Sequence, residues 1–208
     1  QAGWSVLLVD KNPAPPARGL SDQFCHLDII LDSDKLTRII SGADFIIPAI
    51  EDEAVLKSLE QVAQMVGIPN ACDLPSYSIT SSKKRSDRMF MEEGIPAPRY
   101  WPECDYPVIA KPSEGSGSKG IRKITDEKEL AVFFKEVGFR RDDYLIQEYL
   151  AGDSYSIEII GCPGNYVYLQ VTDLYFDSNY DCKRVLAPTE LPPQQVQQFQ
   201  DLGLRIAA

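Results

Sequence analysis

With 208 residues and 44% apolar content, the chain is long enough to bury a core, in one large domain or two small ones, and too apolar to be disordered. A formal net charge of −10 argues against a nucleic-acid surface, and a single histidine, His26, argues against histidine triads and zinc sites, leaving small or cationic ligands as better partners. The five cysteines are odd in number and lack C-x-x-C spacing, which points to a reducing cytoplasm, and no apolar stretch nears the ~20 residues that span a bilayer, so no membrane partner is expected.

From Val6 to Asp73, β-rich and helical runs alternate. VLLVD reads as a strand, a helix around Leu36 to Ile40 stops at Gly42, DFIIPAI reads as a second strand, and a second helix runs from Glu51 to Val66. Such alternation implies a parallel sheet covered by helices. In the second helix Val55, Leu59, Val62, Ala63 and Val66 make one apolar face, and Gly67 supplies the stop. Asp10 ends its strand where doubly wound folds set an acid against ribose. Glu51 stands at the carboxyl edge of the sheet, where a lysine side chain or α-amino group is a fitting ligand. The competing reading is that Glu51, Asp52 and Glu53 only favour the helix N-terminus electrostatically.

In SSKKRSDRMFMEEGIP, Ser81 or Ser82 caps a helix that turns Met89 and Phe90 inward and ends at Gly94 and Pro96. The run VIAKPSEGSGSKGIRKI, Val108 to Ile124, follows. Val108 to Lys111 reads as a buried strand, and Gly115, Gly117 and Gly120 let the backbone approach a ligand closely. The amides of Ser116 and Ser118 suit phosphate oxygens, and Lys111 adds a charge from a rigid strand. The glycine spacing matches G-x-G-x-x-G, yet a dinucleotide fold needs a helix after the loop, and here Ile121 to Ile124 alternates like a strand. Ile121 stands where a P-loop needs its lysine, and a protein kinase carries its lysine on a later strand. An ordinary flexible hairpin with a surface lysine is the competing reading. Asp126 and Glu129 form a capping box for a helix through Val137, and Tyr144 to Gln147 is another short strand, completing a small two-layer lid.

Beyond Tyr149, SYSIEIIG, NYVYLQVTDLYF and CKRVLAP read as antiparallel strands of a second sheet, because their connections are too short for crossovers. Val196, Phe199, Leu202 and Ile206 then recur at helical spacing from Pro193 to Ala208.

The helix lysine, the strand lysine with its glycine flap, and the segment LIQEYLAGD together resemble the ATP-grasp carboxylate-amine ligases. LLVDKNP, ADFIIPAIEDE, YSITSSKKRSDRMFMEEGIPAPRYWP, SYSIEIIG and YDCKRVLAP are similar to the pyrrolysine-biosynthetic branch of that superfamily, whose members join 3-methylornithine to lysine. The resemblance runs from about Val6 to the end. It implies an α/β ATP-grasp fold with an N-terminal Rossmann-like domain over residues 1–80, a bridging helix and lid over 81–148, and the start of the large subdomain over 149–208. Both ends read as truncated, with the first strand and its glycine-rich turn missing, so the fragment by itself is expected to turn over poorly.

The resemblance also implies roles. Lys83 and Lys111 hold the α- and β-phosphates of ATP, and the flap from Ser113 through Ser116, Gly117, Ser118 and Gly120 closes over the triphosphate. Gln147, Glu148 and Leu150 present backbone groups to adenine, and Asp153 takes the ribose hydroxyls; many members have glutamate where Gln147 stands, which leaves only its backbone role intact. Glu158, on one strand, and Asp181, Lys183 and Arg184, on its neighbour, face the amino-acid substrate and the transferred phosphate, a carboxylate suiting an ammonium and an arginine suiting a carboxylate. Asp10 touches nucleotide or substrate near the domain junction. Solvent-facing lysines, an exposed acidic loop tip and sheet-surface ion pairs are the competing readings. Magnesium is implied as well, with ligands beyond the C-terminal end and no E-x-N or E-x-D pair in the stretch read as the large sheet, residues 149–208. The implied partners are ATP and small amino acids, a homodimer is left open, and biotin-carboxylase-like, carbamoyl-phosphate-like and purely nucleotide-binding roles stand as alternatives.

Overall fold

The computed structural model describes residues 3–115 and 117–208 and divides into two units, residues 1–78 and 79–208. In the first, the apolar run before Asp10 forms β1 (Leu7–Asp10), and after a short 3-10 turn at Pro16–Leu20 the chain lays β2 (Gln23–His26) beside it in parallel, Leu7 opposite Gln23 and Asp10 opposite His26. The helices α1 (Ser33–Ile40), α2 (Glu53–Val66) and α3 (Leu74–Thr80) follow. Asp52 sets the start of α2: its carboxylate accepts from the N–H groups of Ala54 and Val55 at 3.0 and 3.1 Å, satisfying two donors that the first helical turn leaves over. The helix therefore begins two residues after Glu51, which stays in the extended lead-in. Gly67 closes it in the left-handed region at φ 79°, as its place in the sequence predicts.

Leu27, Leu36, Ile40, Val55, Leu59 and Val62 make the core of this unit. Each fully buried leucine contributes about 1.5–3 kcal/mol. The strand expected over DFIIPAI shrinks to one parallel bridge, Ile46 with Asn70. Pro48 has no N–H for a ladder, and Phe45 and Ile47 remain half or more exposed, so the apolar run lacks the buried face that would hold it as a strand.

The second unit carries α4 (Lys83–Glu92) and a three-stranded antiparallel lid sheet of β3 (Val108–Pro112), β4 (Arg122–Ile124) and β5 (Tyr144–Glu148), in the order β4-β3-β5. Alternation along β3 sends Val108 and Ala110, both 0% exposed, into a core with Ile124 and with Leu130, Phe133 and Val137 of α5 (Glu127–Val137). The opposite face therefore receives Ile109 and Lys111, with Gln147 and Leu145 directly across from them on β5. Asp126 caps α5 through the Glu129 N–H at 2.9 Å, while the Glu129 carboxylate reaches back to the N–H and hydroxyl of Thr125, one residue beyond the expected box.

The second sheet runs β6 (Ser154–Cys162), β7 (Asn165–Phe176), β8 (Cys182–Leu186), all antiparallel, with α6 (Pro193–Ala207) on one face. Gly203 is where α6 comes closest: a Cβ there would lie 2.8 Å from Ile159 Cδ1 and 3.2 Å from Ile157 Cγ2. Tyr155 meets Phe199 edge-on at 5.6 Å. Tyr155, Ile157 and Ile159 thus share the α6 face, and Ser154, Ser156 and Glu158 the other. Among the described residues no helix is long and apolar enough to cross a membrane.

At the β6–β7 hairpin Gly161 has φ 151°, and a Cβ there would sit 2.2 Å from the Asn165 carbonyl oxygen and 2.7 Å from Tyr166 Cα. Backbone cannot yield as a side-chain tip can. Gly161→Ala is expected to cost at least about 2 kcal/mol, read as a lower urea midpoint with unchanged slope. A loss under about 0.5 kcal/mol would contradict the close approach.

Candidate functional site: a lysine pair beneath a glycine-serine flap

The N-terminus of α4 is stitched to the root of the flap. Lys83 donates its backbone N–H to the Ser113 carbonyl at 2.8 Å and its Nζ to the Gly115 carbonyl at 2.9 Å. Ser82, at the cap position, uses its hydroxyl on the Ser113 hydroxyl at 3.4 Å instead of on the helix. Helical spacing then carries the same side of α4 from Lys83 to Asp87, and Asp87, not Met89 or Phe90, is the residue this helix buries, at 7% exposure. The Asp87 carboxylate accepts from the Tyr100 hydroxyl at 2.7 Å and from Gln147 Nε2. Gln147 is fully buried, and its Oε1 has no partner.

Lys111 shares the Gln147 side of the lid sheet. Burial pushes its ammonium below the usual lysine range, the neighbouring Lys83 pushes the same way, and Asp87 opposes both. Lys83, from a helix, and Lys111, from a strand, are therefore near enough for the charge of one to act on the other. The Tyr100 phenol is raised, chiefly by burial and then by its bond to Asp87, so it stays a neutral donor.

The flap leaves this pair through glycine conformations. Gly115, Gly117 and Gly120 have φ 93°, 72° and 76°, and Ser118 has φ 57°. Gly120 also packs closely: a Cβ would come within 3.1 Å of Pro112 Cγ and 3.3 Å of the Tyr144 hydroxyl. Ser118 donates its hydroxyl to the Tyr180 carbonyl, tying the flap to the turn between β7 and β8. Ser116 lies outside the described residues. Ser113 is buried and has both backbone groups committed, its N–H to Asp143 and its carbonyl to Lys83, so it anchors the flap and offers a ligand no amide.

At the last residue of β5, the Glu148 carboxylate takes the Arg99 N–H at 2.9 Å and the Arg99 guanidinium at 2.8 and 3.0 Å. The Arg99 backbone N–H and then its guanidinium hold the Glu148 carboxyl below the usual range. Its own N–H is spent on the Arg99 carbonyl, and Tyr149 N–H on that of Pro107, while Leu150 is exposed. Lys123 lies 3.7 Å over the Tyr149 ring.

The large sheet separates residues that the sequence groups together. β7 lies between β6 and β8, so the strands of Glu158 and Arg184 are not neighbours. Arg184 pairs with Tyr175 and lies 3.9 Å over its ring, on the α6 face, whereas Glu158 faces away from α6. Asp153 lines, with Tyr155, Phe199 and Leu202, a cavity of about 500 Å³ beside α6. Asp181, at the end of the turn, and Lys183, at the start of β8, pair with each other, and Asp177 adds a contact to Lys183 at 3.5 Å. Asp10 and Glu51 belong to the first unit, where the Asp10 carboxylate accepts the Asn12 N–H at 2.8 Å. Sequence reading passed over Asp87, Tyr100 and Arg99; the available signal was an acid four residues after Lys83, one turn along the same helix.

Comparison with known proteins fits this geometry. The ATP-grasp domain family matches residues 80–204. The chain is 32% identical over 208 residues to a 3-methyl-D-ornithine–L-lysine ligase of Methanosarcina barkeri and 33% identical to that of Methanosarcina mazei, covering all of this chain and 54% and 53% of theirs. It thus spans about half the length of these curated relatives. Its fold is similar to the biotin carboxylase domain of Hydrogenobacter thermophilus 2-oxoglutarate carboxylase, solved with MgADP and bicarbonate, with TM-score 0.78, 20% identity, and coverage of 99% of this chain and 52% of that one. It is also similar to Staphylococcus aureus N5-carboxyaminoimidazole synthetase complexed with ADP, with TM-score 0.78, 15% identity, and coverage of 98% and 56%.

Because the Glu148 carboxyl is depressed, its pairing stabilises the fold above the ordinary glutamate value and is lost as pH falls through the lowered one. Glu148→Gln is expected to flatten the loss of stability between about pH 5 and about pH 2, measured as urea midpoint against pH. An acid limb as steep as that of the natural chain would remove this role. The lysine pair, the glycine-serine flap and the match over residues 80–204 lead to one assignment: the chain belongs to the ATP-grasp domain family.

Proposed function

We propose that this chain carries the nucleotide-binding part of an ATP-dependent carboxylate-amine ligase. ATP phosphorylates a substrate carboxylate to an acyl phosphate, ADP leaves, and an amine attacks the acyl carbon and expels phosphate to form an amide or isopeptide bond. The observation that carries this reading is that Lys83 is bonded to the Gly115 carbonyl at the root of the flap while its charge acts on Lys111 of β3. Phosphoryl transfer is catalysed mainly by positioning and charge neutralisation, and two ammonium groups fixed by a helix and a strand provide both. In this reading Gly117, Ser118 and Gly120, with Ser116, cover the triphosphate, and the backbone of Glu148 and Leu150 meets the adenine edge.

The proposed substrates are 3-methyl-D-ornithine as acyl donor and the ε-amine of L-lysine, in pyrrolysine biosynthesis, supported by the roughly one-third identity to ligases of that name. Glu158, on the sheet face away from α6, suits a substrate ammonium, and Asp181 with Lys183 flanks the turn that Ser118 contacts. Arg184 lies on the α6 face and has no geometric link to Glu158. Asp10 and Glu51 remain proposed amino-acid contacts of the first unit.

Magnesium, which this class of chemistry calls for, finds no site among the described residues: no three acidic, histidine or cysteine groups gather as ligands.

The deciding assay follows ADP release by the intact protein with ATP, 3-methyl-D-ornithine and lysine. Release that requires both amino acids is expected, and Lys111→Ala is expected to lower it by about 10² or more. ATP binding without amino-acid-dependent turnover would reject the ligase, and bicarbonate-dependent ADP formation would favour a biotin-carboxylase-like enzyme.

A further inference from the structure

Nothing in the lysine pair itself explains why two ammonium groups stay together in a partly buried place before any phosphate arrives. The burial cost and the mutual repulsion act in the same direction on Lys111. The opposing group is one the phosphate chemistry does not use. Asp87 is 7% exposed, lies one helical turn beyond Lys83, and is fixed by the Tyr100 hydroxyl at 2.7 Å and by Gln147 Nε2. Gln147 sits directly across from Ile109 on the lid sheet, and Lys111 is the next residue of β3 on that face. A carboxyl group buried this deeply is costly unless its oxygens find donors, and Tyr100 and Gln147 are those donors.

We propose that Asp87 is a positioning residue of the nucleotide site: its buried carboxylate, held by Tyr100 and Gln147, is the counter-charge that retains the Lys111 ammonium against Lys83 until the phosphates bind. This rests on the ATP reading above. The charged groups acting on Lys111 are Asp87 and Lys83, both from α4; from β5 it faces Leu145 and Gln147, which carry no charge. The neutral Tyr100 phenol fixes Asp87 without adding charge.

The test is ATP affinity of the intact protein, by calorimetry, from about pH 7 to about pH 10, the range over which a lowered lysine loses its proton. Losing Asp87 lets the Lys111 proton leave at lower pH, so Asp87→Asn is expected to bring the alkaline fall in affinity about one pH unit lower. Tyr100→Phe, which keeps the carboxylate, is expected to leave the limb within about 0.3 unit of its natural place. Lys111→Arg, whose charge does not titrate in this range, is expected to abolish the limb. If Asp87→Asn fails to fold, Asp87→Glu serves, since a displaced carboxylate is expected to move the limb the same way by less. An unmoved limb in the Asp87 variant, or an equal shift in Tyr100→Phe, overturns the proposal while leaving ATP binding intact. Absence of ATP binding by the natural protein removes the functional reading and this proposal together.

Discussion

Like charges brought together in a partly desolvated place set the main constraint on the second unit. Lys111 is held on one face of the lid sheet and Lys83 comes to it from α4, and burial together with the Lys83 charge pushes the Lys111 ammonium below the usual lysine range. Everything that fixes α4 to the lid bears on this pair. The Ser113 carbonyl takes the first N–H of α4, the Gly115 carbonyl takes the Lys83 ammonium, and the Ser82 and Ser113 hydroxyls meet behind them. A helix whose N-terminus is tied by three such contacts has little freedom to withdraw its lysine. In the ATP reading proposed above, the arrangement is preorganised for an anion, which replaces the Gly115 carbonyl as the partner of Lys83.

The flap works in the opposite sense. Its glycines give it conformational freedom, since positive φ at Gly115, Gly117 and Gly120 costs glycine little. Both of its ends are nevertheless restrained, at the root by Ser113 on Asp143 and Lys83, and near the tip by Ser118 on the Tyr180 carbonyl. The turn that receives Ser118 is itself braced, because the Asp177 carboxylate accepts the N–H groups of Asn179 and Asp181 at 2.8 and 3.0 Å. Flap and second sheet are thus joined on the side where Lys183 and Asp181 sit.

How much of this was legible in the sequence depended on whether the signal was local. The flap and its flanking strands were readable because a short apolar run, a lysine and three glycines are all contiguous, and each has its own conformational meaning. The large sheet was readable because its connections are too short for anything but hairpins. The strand expected over DFIIPAI failed because apolarity without a buried partner face does not make a ladder, and β2 escaped notice because QFCH offers only two apolar residues. The grouping of Glu158 with Arg184 failed for a subtler reason. Which face a strand residue takes depends on register, and β6, β7 and β8 pair with an irregularity between Ile157 and Ile159 and another between Tyr175 and Phe176 that no sequence pattern announces.

Asp87 shows the limit most clearly. Within KKRSDRM it reads as one charge among several on a solvated helix, and helix spacing alone sets it beside Lys83 without saying which side faces inward. Only the pairing of Gln147 with Ile109, fixed by strand register, brings a donor to it, and only the Tyr100–Gln147 bridge brings a second. A buried carboxylate is costly unless donors and a cation surround it, so its position is determined by three elements at once: a helix, a strand and the loop between them. The flap proposed to cover a ligand can be read from a short motif because its positive-φ glycines follow one another closely in the sequence. The residues that hold those groups in place are set by long-range packing, and for them the fold is the first legible record.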